Sequence, residues 1–377
     1  MFLGRLFCVT AGAFALLMLV PAFTRHFWLA RLVASELSFL LAGLPALLGL
    51  VVLGAIPRQS TFRIFGGMAL LSSLLPFAAT VQTYTEHDRA FSAREYVAWG
   101  PRRSLVERRS DLMLEPSRPD LLLDFYRGQG AGPRPLLVIV HGGSFSGGNK
   151  GENRTVTELF AMAGYSVADV QYRLAPKAPF PAAVRDVKCL AGRLRERGRE
   201  FGVDPERVAY LGRSAGAAIG VVAAYSAGDS RIPPACDVLD RPVAAMVSLY
   251  GPMDLDWGWR VRSFPDPITG FRVLERYIGG TPLTNPSGFR LASATSWVSA
   301  STPSTLLIHG TRDTLVSPHH MVLLAEAFAR KGLPPPRSLL IPFAEHGFDY
   351  RPGGLGEQLA RAETLEFLAN VSGNVQR

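Results

Sequence analysis

A serine between two glycines, Gly212-Arg213-Ser214-Ala215-Gly216, stands directly between a β-forming run and an alanine-rich stretch. Glycine on both sides permits a tight strand-to-helix turn, which lifts the Ser214 hydroxyl clear of the backbone at the carboxyl end of a strand. The helix that starts there directs its first amides toward any negative charge developing beside that hydroxyl. A chain built around such a turn needs strands covered by helices, and the sequence supplies them after about residue 111. Short apolar runs at 121–126, 136–141, 166–172, 208–212, 243–250, 305–309 and 338–341 read as strands. Helical stretches at 156–163, 181–199, 215–226, 319–331 and 355–370 alternate with them. Near-continuous apolar strands alternating with helices predict an α/β fold with a mainly parallel sheet covered on both faces.

A serine hydroxyl is a weak nucleophile at neutral pH and needs a base. Histidine after the last strand fills that role: His346, in Phe343-Ala-Glu-His346-Gly-Phe, follows the 338–341 run and precedes the terminal helix. The carboxylate that orients it is expected at Asp313, in His309-Gly-Thr-Arg-Asp313, on the loop after the preceding strand, with Asp254 one strand earlier as the alternative. The glycine-rich segment His141-Gly-Gly-Ser-Phe-Ser-Gly-Gly148 follows the 136–140 strand. There Gly142 and Gly143 can turn backbone amides toward a substrate oxygen, and with the Ala215 amide they would form an oxyanion hole. His141 is expected to organise this loop rather than to transfer protons. A phosphate cradle is disfavoured, since neither G-K-[ST] nor G-x-G-x-x-G is present. Each of these pieces falls at the carboxyl end of a strand, where an α/β sheet places its ligand crevice.

The first eighty residues have a different character. Charge-free apolar runs at 6–23, 37–56 and 64–81 each have the length a helix needs to cross a bilayer, which predicts a membrane anchor of about three spans over 1–83. Short segments bearing Arg25 and Arg31, then Arg58 and Arg63, separate them. Three spans put Arg25, Arg31, Arg89, Arg94, Arg102 and Arg103 on one side against Arg5, Arg58 and Arg63 on the other, and this bias predicts a cytoplasmic catalytic domain. Residues 84–110 read as a juxtamembrane linker and 111–377 as the catalytic domain, with a small cap at about 255–300. Trp257, Trp259, Phe264, Phe271 and Phe289 in that insert suit either a pocket roof or a packed structural excursion. Phe145 and Arg213 beside the expected site, with His141, Trp257 and Trp259, complete the candidate pocket. On this division the anchor is dispensable, and deletion to about Val81 leaves an active domain.

A formal charge of +9 raises the question of nucleic acid, but only four of the 40 basic residues are lysine and the arginines are scattered beside acids, which excludes a basic binding stripe. Cys8, Cys189 and Cys236 have no metal-ligand spacing and imply neither a metal site nor a disulfide framework. No cofactor is called for.

The part of the chain after about Arg109 resembles the α/β-hydrolase superfamily, and within it the hormone-sensitive-lipase-like and acetyl-esterase-like carboxylesterases. The resemblance rests on HGGSFSGG, Tyr172-Arg-Leu-Ala-Pro176 with Pro179-Phe-Pro-Ala-Ala183, Phe201-Gly-Val-Asp-Pro205, GRSAG, HGTRDTLV and AEHGF, in that order. It implies Ser214, Asp313 and His346 as a triad, with Gly142, Gly143 and Ala215 as oxyanion donors. Two departures stand out: the oxyanion loop has Ser144 where many members carry a third glycine, and the elbow has Arg213 where many carry an acid. The expected activity is hydrolysis of a small or lipid-like carboxylic ester by a membrane-anchored serine hydrolase. An amidase or peptidase with the same triad is the alternative, and a silent binding protein is disfavoured because no triad position is missing.

Overall fold

The computed structural model describes residues 2–37, 40, 43–54, 60–98 and 106–372. The part of the chain after the N-terminal helices is built on one eight-stranded sheet in the order β1-β2-β4-β3-β5-β6-β7-β8. Its strands are β1 (Arg108–Met113), β2 (Leu122–Tyr126), β3 (Arg134–Val140), β4 (Ser166–Val170), β5 (Val203–Arg213), β6 (Ala245–Leu249), β7 (Ser304–Gly310) and β8 (Arg337–Ile341). From β4 through β8 all neighbours are parallel, while β1–β2 and β2–β4 are antiparallel. This is the α/β-hydrolase-like arrangement that the sequence motifs imply.

Each central strand buries both of its faces, as strands sandwiched by helices must. Leu136, Val138 and Val140 of β3 enter one apolar cluster while Leu137 and Ile139 enter the other. Fourteen helices follow the chain among the described residues. Four precede the sheet: α1 (Phe2–Leu19), α2 (Arg25–Glu36), α3 (Leu44–Gly54) and α4 (Ser60–Glu86). The short α5 (Ala93–Val97) leads to β1, and α6 (Arg154–Met162), α7 (Ala182–Glu196), α8 (Gly198–Phe201) and α9 (Ala215–Tyr225) fill the crossovers as far as β6. The insert holds α10 (Leu255–Arg260), α11 (Gly270–Ile278) and α12 (Pro286–Ala292), and α13 (His319–Arg330) and α14 (Leu355–Ser372) close the fold. The seven strands expected from the sequence are all found. The eighth, β1, lies partly within the stretch read as linker, and residues 99–105 of that stretch lie outside the described residues.

The N-terminal quarter differs from its expected division. No helix among the described residues is long and apolar enough to cross a membrane. The run 37–56 contributes the 11-residue α3, with part of its length outside the described residues, while the run 64–81 belongs to the 27-residue α4. Helix α2 is not a turn between spans but a twelve-residue helix, capped by Thr24, whose side chain accepts from the Phe27 amide at 3.2 Å. Nor are these helices separate from the sheet. Tyr84 of α4 donates to the Leu355 carbonyl at 2.7 Å, and Tyr96 of α5 donates to the Glu36 carbonyl at 3.0 Å.

One covalent feature departs from the sequence reading. Cys189 and Cys236 form a disulfide across a separation of 47 residues. Two cysteines this far apart carry no spacing signal, which is why the sequence leaves the bond unseen. With Glu115 they make the one group of three potential metal ligands among the described residues, and both sulfurs are committed to each other. Unreduced protein, denatured and titrated with a thiol reagent, is expected to show one free thiol, that of Cys8. Three free thiols would overturn the disulfide.

Candidate functional site

The serine turn is formed as its glycines require. Ser214 sits between β5 and α9 with φ +53° and ψ −122°, a conformation that L-residues adopt only when the surroundings impose it. The constraint comes from the neighbours. A Cβ at Gly216 would collide with the carbonyls of Val140 and His141, and one at Gly212 would collide with the backbone of Gly216 and Ala217. Helix α9 therefore presses directly on the end of β3, and the Ser214 amide donates to the Leu249 carbonyl of β6 at 3.0 Å.

Three residues far apart in sequence meet at this turn. The Ser214 hydroxyl lies 2.9 Å from His346 Nε2, and His346 Nδ1 lies 2.8 Å from Asp313 Oδ2. A carboxylate accepts only, so Nδ1 carries the proton and Nε2 is left as acceptor for the serine hydroxyl. Asp313 is held by more than His346. Its Oδ1 accepts from the amides of Leu315 (2.9 Å) and Val316 (2.8 Å), and His309 Nε2 approaches its Oδ2 at 3.0 Å. His309 Nε2 also lies 2.9 Å from the Val316 carbonyl. Since both of its neighbours are acceptors, His309 is protonated on Nε2. Burial alone would raise the Asp313 carboxyl, but the two imidazoles outweigh burial and hold it well below the usual carboxylate range.

The alternative acid has another task. Asp254 caps α10, accepting from the Trp257 amide at 2.9 Å, and its second oxygen accepts from Thr295 Oγ1 at 2.8 Å. It does not touch His346 in this arrangement of partners.

Gly143 and Ala215 line the cleft beside Ser214, as the oxyanion expectation requires. Gly142 lies close beneath, where an added Cβ would stand 3.3 Å from Ser214 Cβ. His141 is buried behind the loop and stacks on Tyr172, with centroids 4.2 Å apart. Its Nδ1 donates to the Gly142 carbonyl at 2.8 Å, and burial pushes it down to about 4, so it holds the loop as a neutral ring.

Of the remaining pocket candidates, two are placed in the cavity and two are not. Phe145 stacks on Tyr277 at 3.8 Å and, with Trp257, lines an apolar cavity of about 80 Å³. Arg213 faces away from the cleft, because successive side chains along β5 point to opposite faces, and it pairs with the buried Asp349. Trp259 turns its indole Nε1 to Glu275 Oε1 at 3.0 Å and packs against the core. Ser214 also opens onto a second, wider groove of about 540 Å³ whose wall includes Arg25, Trp28, Glu152 and Arg276. Arg25 and Trp28 belong to α2. Sequence reasoning missed them because the segment between two apolar runs reads as a connecting loop. The arginines there were the available signal.

The family profile described as BD-FAE matches residues 123–328, more than half of the chain. The chain belongs to the BD-FAE family. Gly142, Gly143, Ser214 and Asp313 lie inside the BD-FAE match, while His346 and the whole N-terminal quarter lie outside it. Among curated proteins, Esterase LipQ of Mycobacterium tuberculosis is 27% identical over 279 residues, 73% of this chain and 65% of LipQ. Esterase LipC of the same organism is 31% identical over 265 residues, 67% of this chain and 63% of LipC. The chain thus spans slightly less than two thirds of these relatives. The crystal structure of esterase LipW from Mycobacterium marinum shares the fold, with TM-score 0.59 and 23% identity over 80% of this chain and 91% of LipW.

Proposed function

We propose that this chain is a serine carboxylesterase in which Ser214 is the nucleophile, His346 the general base and acid, and Asp313 the residue that orients the imidazole. The single observation that carries the reading is the unbroken row from the Ser214 hydroxyl through His346 to Asp313 at 2.9 and 2.8 Å. The family and its relatives named as esterases support it. His346 Nε2 takes the serine proton as Oγ attacks the ester carbonyl carbon. The amides of Gly143 and Ala215, with Gly142 beside them, stabilise the oxyanion. The imidazolium then protonates the departing alcohol, leaving an acyl-serine that water, deprotonated by the same imidazole, hydrolyses to the acid.

The two spaces beside Ser214 divide the substrate. The small cavity is walled mainly by Trp257, Val261, Phe271, Leu274 and Leu315, with Arg262 and Asp266, of opposite charge, also lining it, and by His320, whose charge is suppressed because burial pushes it down to about 3. It suits a short, uncharged acyl chain. The wider groove carries Arg25, Glu152 and Arg276 and suits a larger, polar alcohol portion.

The N-terminal helices form a bundle packed the opposite way from the sheet domain. Small side chains, Cys8, Ala11, Ala46 and Ala69, fill its interior, while Leu3, Leu6, Val9, Leu16, Leu47, Val51, Ile64, Met68 and Leu71 are exposed. Small residues inside and large apolar residues outside suit helices that pack within lipid. This supports seating the bundle in a bilayer. The disulfide supports a catalytic domain facing an oxidising compartment rather than the cytoplasm, which reverses the side expected from the arginine count.

Four outcomes test this reading. A fluorophosphonate probe is expected to label the wild-type protein and not Ser214→Ala, and Asp313→Asn should lower kcat by about 10⁴-fold while the protein stays folded. Equal labelling of both proteins excludes Ser214. Across nitrophenyl esters of increasing acyl length, kcat/KM should peak at the shortest chains, and a maximum at long acyl chains refutes the assignment of the small cavity. Full-length protein should stay with membranes through a carbonate wash, and its release would exclude the bilayer seat.

A further inference from the structure

Glu345 precedes His346 in the chain and is almost wholly buried, yet it touches none of the reacting atoms. Its Oε1 accepts from three donors: the Thr314 amide at 2.7 Å, Thr314 Oγ1 at 3.1 Å and the His346 amide at 3.0 Å. Thr314 directly follows Asp313. One carboxylate oxygen therefore joins the loop after β7, which carries the acid, to the loop after β8, which carries the imidazole.

Such a clamp is costly to build. Burial, with the nearby Asp313 charge acting in the same direction, pushes the Glu345 carboxyl up, and a buried carboxylate requires a partner cation. That cation comes from the N-terminal helices. Arg31 of α2 is itself buried, and its guanidinium stands 2.9 Å from Glu345 Oε2. Two further contacts seat the same helix on the same loop, and a third ties its end to α5. Trp28 faces the His346 ring with centroids 6.4 Å apart, Leu32 lies against Gly347, and the Glu36 carbonyl is held by Tyr96.

We propose that α2 completes the catalytic centre, with Arg31 acting through Glu345 as a positioning residue that keeps His346 and Asp313 in register for ester hydrolysis. The proposal rests on the esterase reading and goes beyond it, since it makes the N-terminal helices part of the active site rather than a removable anchor. Without the guanidinium, Glu345 must take up a proton or leave its place. A departing carboxylate withdraws the acceptor shared by the two loops, and a carboxylic acid accepts more weakly than either a carboxylate or an amide, so in both cases the imidazole drifts from the serine. A displacement near 1 Å costs on the order of 10²-fold in rate.

The test uses full-length protein in detergent and a short-chain nitrophenyl ester, with kcat and KM measured separately and folding followed by thermal melting. Arg31→Met is expected to lower kcat by about 10²-fold with KM little changed, because alignment is lost and binding is not. Arg31→Lys should recover most of the lost kcat. Adding Glu345→Gln to Arg31→Met should also recover activity, since a neutral amide oxygen can accept the three hydrogen bonds without a counter-ion. A folded Arg31→Met protein with wild-type kcat overturns the proposal. So does a folded double variant no more active than Arg31→Met, and the double variant alone decides the matter should Arg31→Met fail to fold, activity supporting the clamp and inactivity refuting it. Ser214→Ala separates the two levels of the argument. If that variant still turns over the ester, the esterase reading falls. If it is dead while Arg31→Met is fully active, only the role of α2 falls.

Discussion

Four donors converge on one buried carboxylate, and the geometry of the site depends on that convergence. Two backbone amides fix Asp313 to its own loop, and two imidazoles approach its other oxygen, one from β7 and one from the loop after β8. A carboxylate removed from water survives as an anion only where hydrogen bonds replace its hydration. Here the replacement also determines which nitrogen of His346 is bare. The orientation of the imidazole is thus a by-product of satisfying the carboxylate, and His309 takes part in it.

Much of this was legible in the amino acids. The strands β2 to β8 were visible because each carries a short apolar run, and the order of serine, aspartate and histidine could be read because each follows a strand. Asp313 and His346, preferred by position over Asp254 and the other histidines, lie within hydrogen-bond distance of each other, and their roles belong to the proposal. What stayed hidden has physical reasons. Strand β1, with the sequence RRSDLM, is an edge strand whose side chains face largely into solvent, so it carries no apolar alternation. The inward turn of Phe145 and the outward turn of Arg213 depend on local backbone direction, which composition does not encode. The roof formed by α2 was hidden by its neighbours, because apolar runs on either side made it look like a connection.

The chain combines two opposite packing rules. Around the sheet, large aliphatic and aromatic side chains turn inward and interlock, as expected where water drives burial. In the bundle of α1, α3 and α4, alanine and cysteine meet at the centre, and many of the bulky residues whose side chains are described face out, with Leu17 and Leu70 packed against the centre. Helix α2 lies between the two regimes, with Leu29 and Val33 exposed while Arg31 and Glu36 are buried against the sheet domain. Its buried face carries Leu32 and Ala34 as well as these two charged groups, so the helix is held to the sheet domain by packing and by charge together.

The contact of Gly216 with the carbonyls at the end of β3 has a further consequence. Because it is made backbone to backbone, no exchange of side chains in the core can alter the spacing between the serine and the loop that begins at His141. The walls around them are made the other way, from the side chains of α2, α10 and α11, which lie outside or at the edge of the central sheet. Sequence change can therefore alter what the cleft admits while the spacing at the serine turn stays constant, and divergence among relatives should be concentrated in those walls.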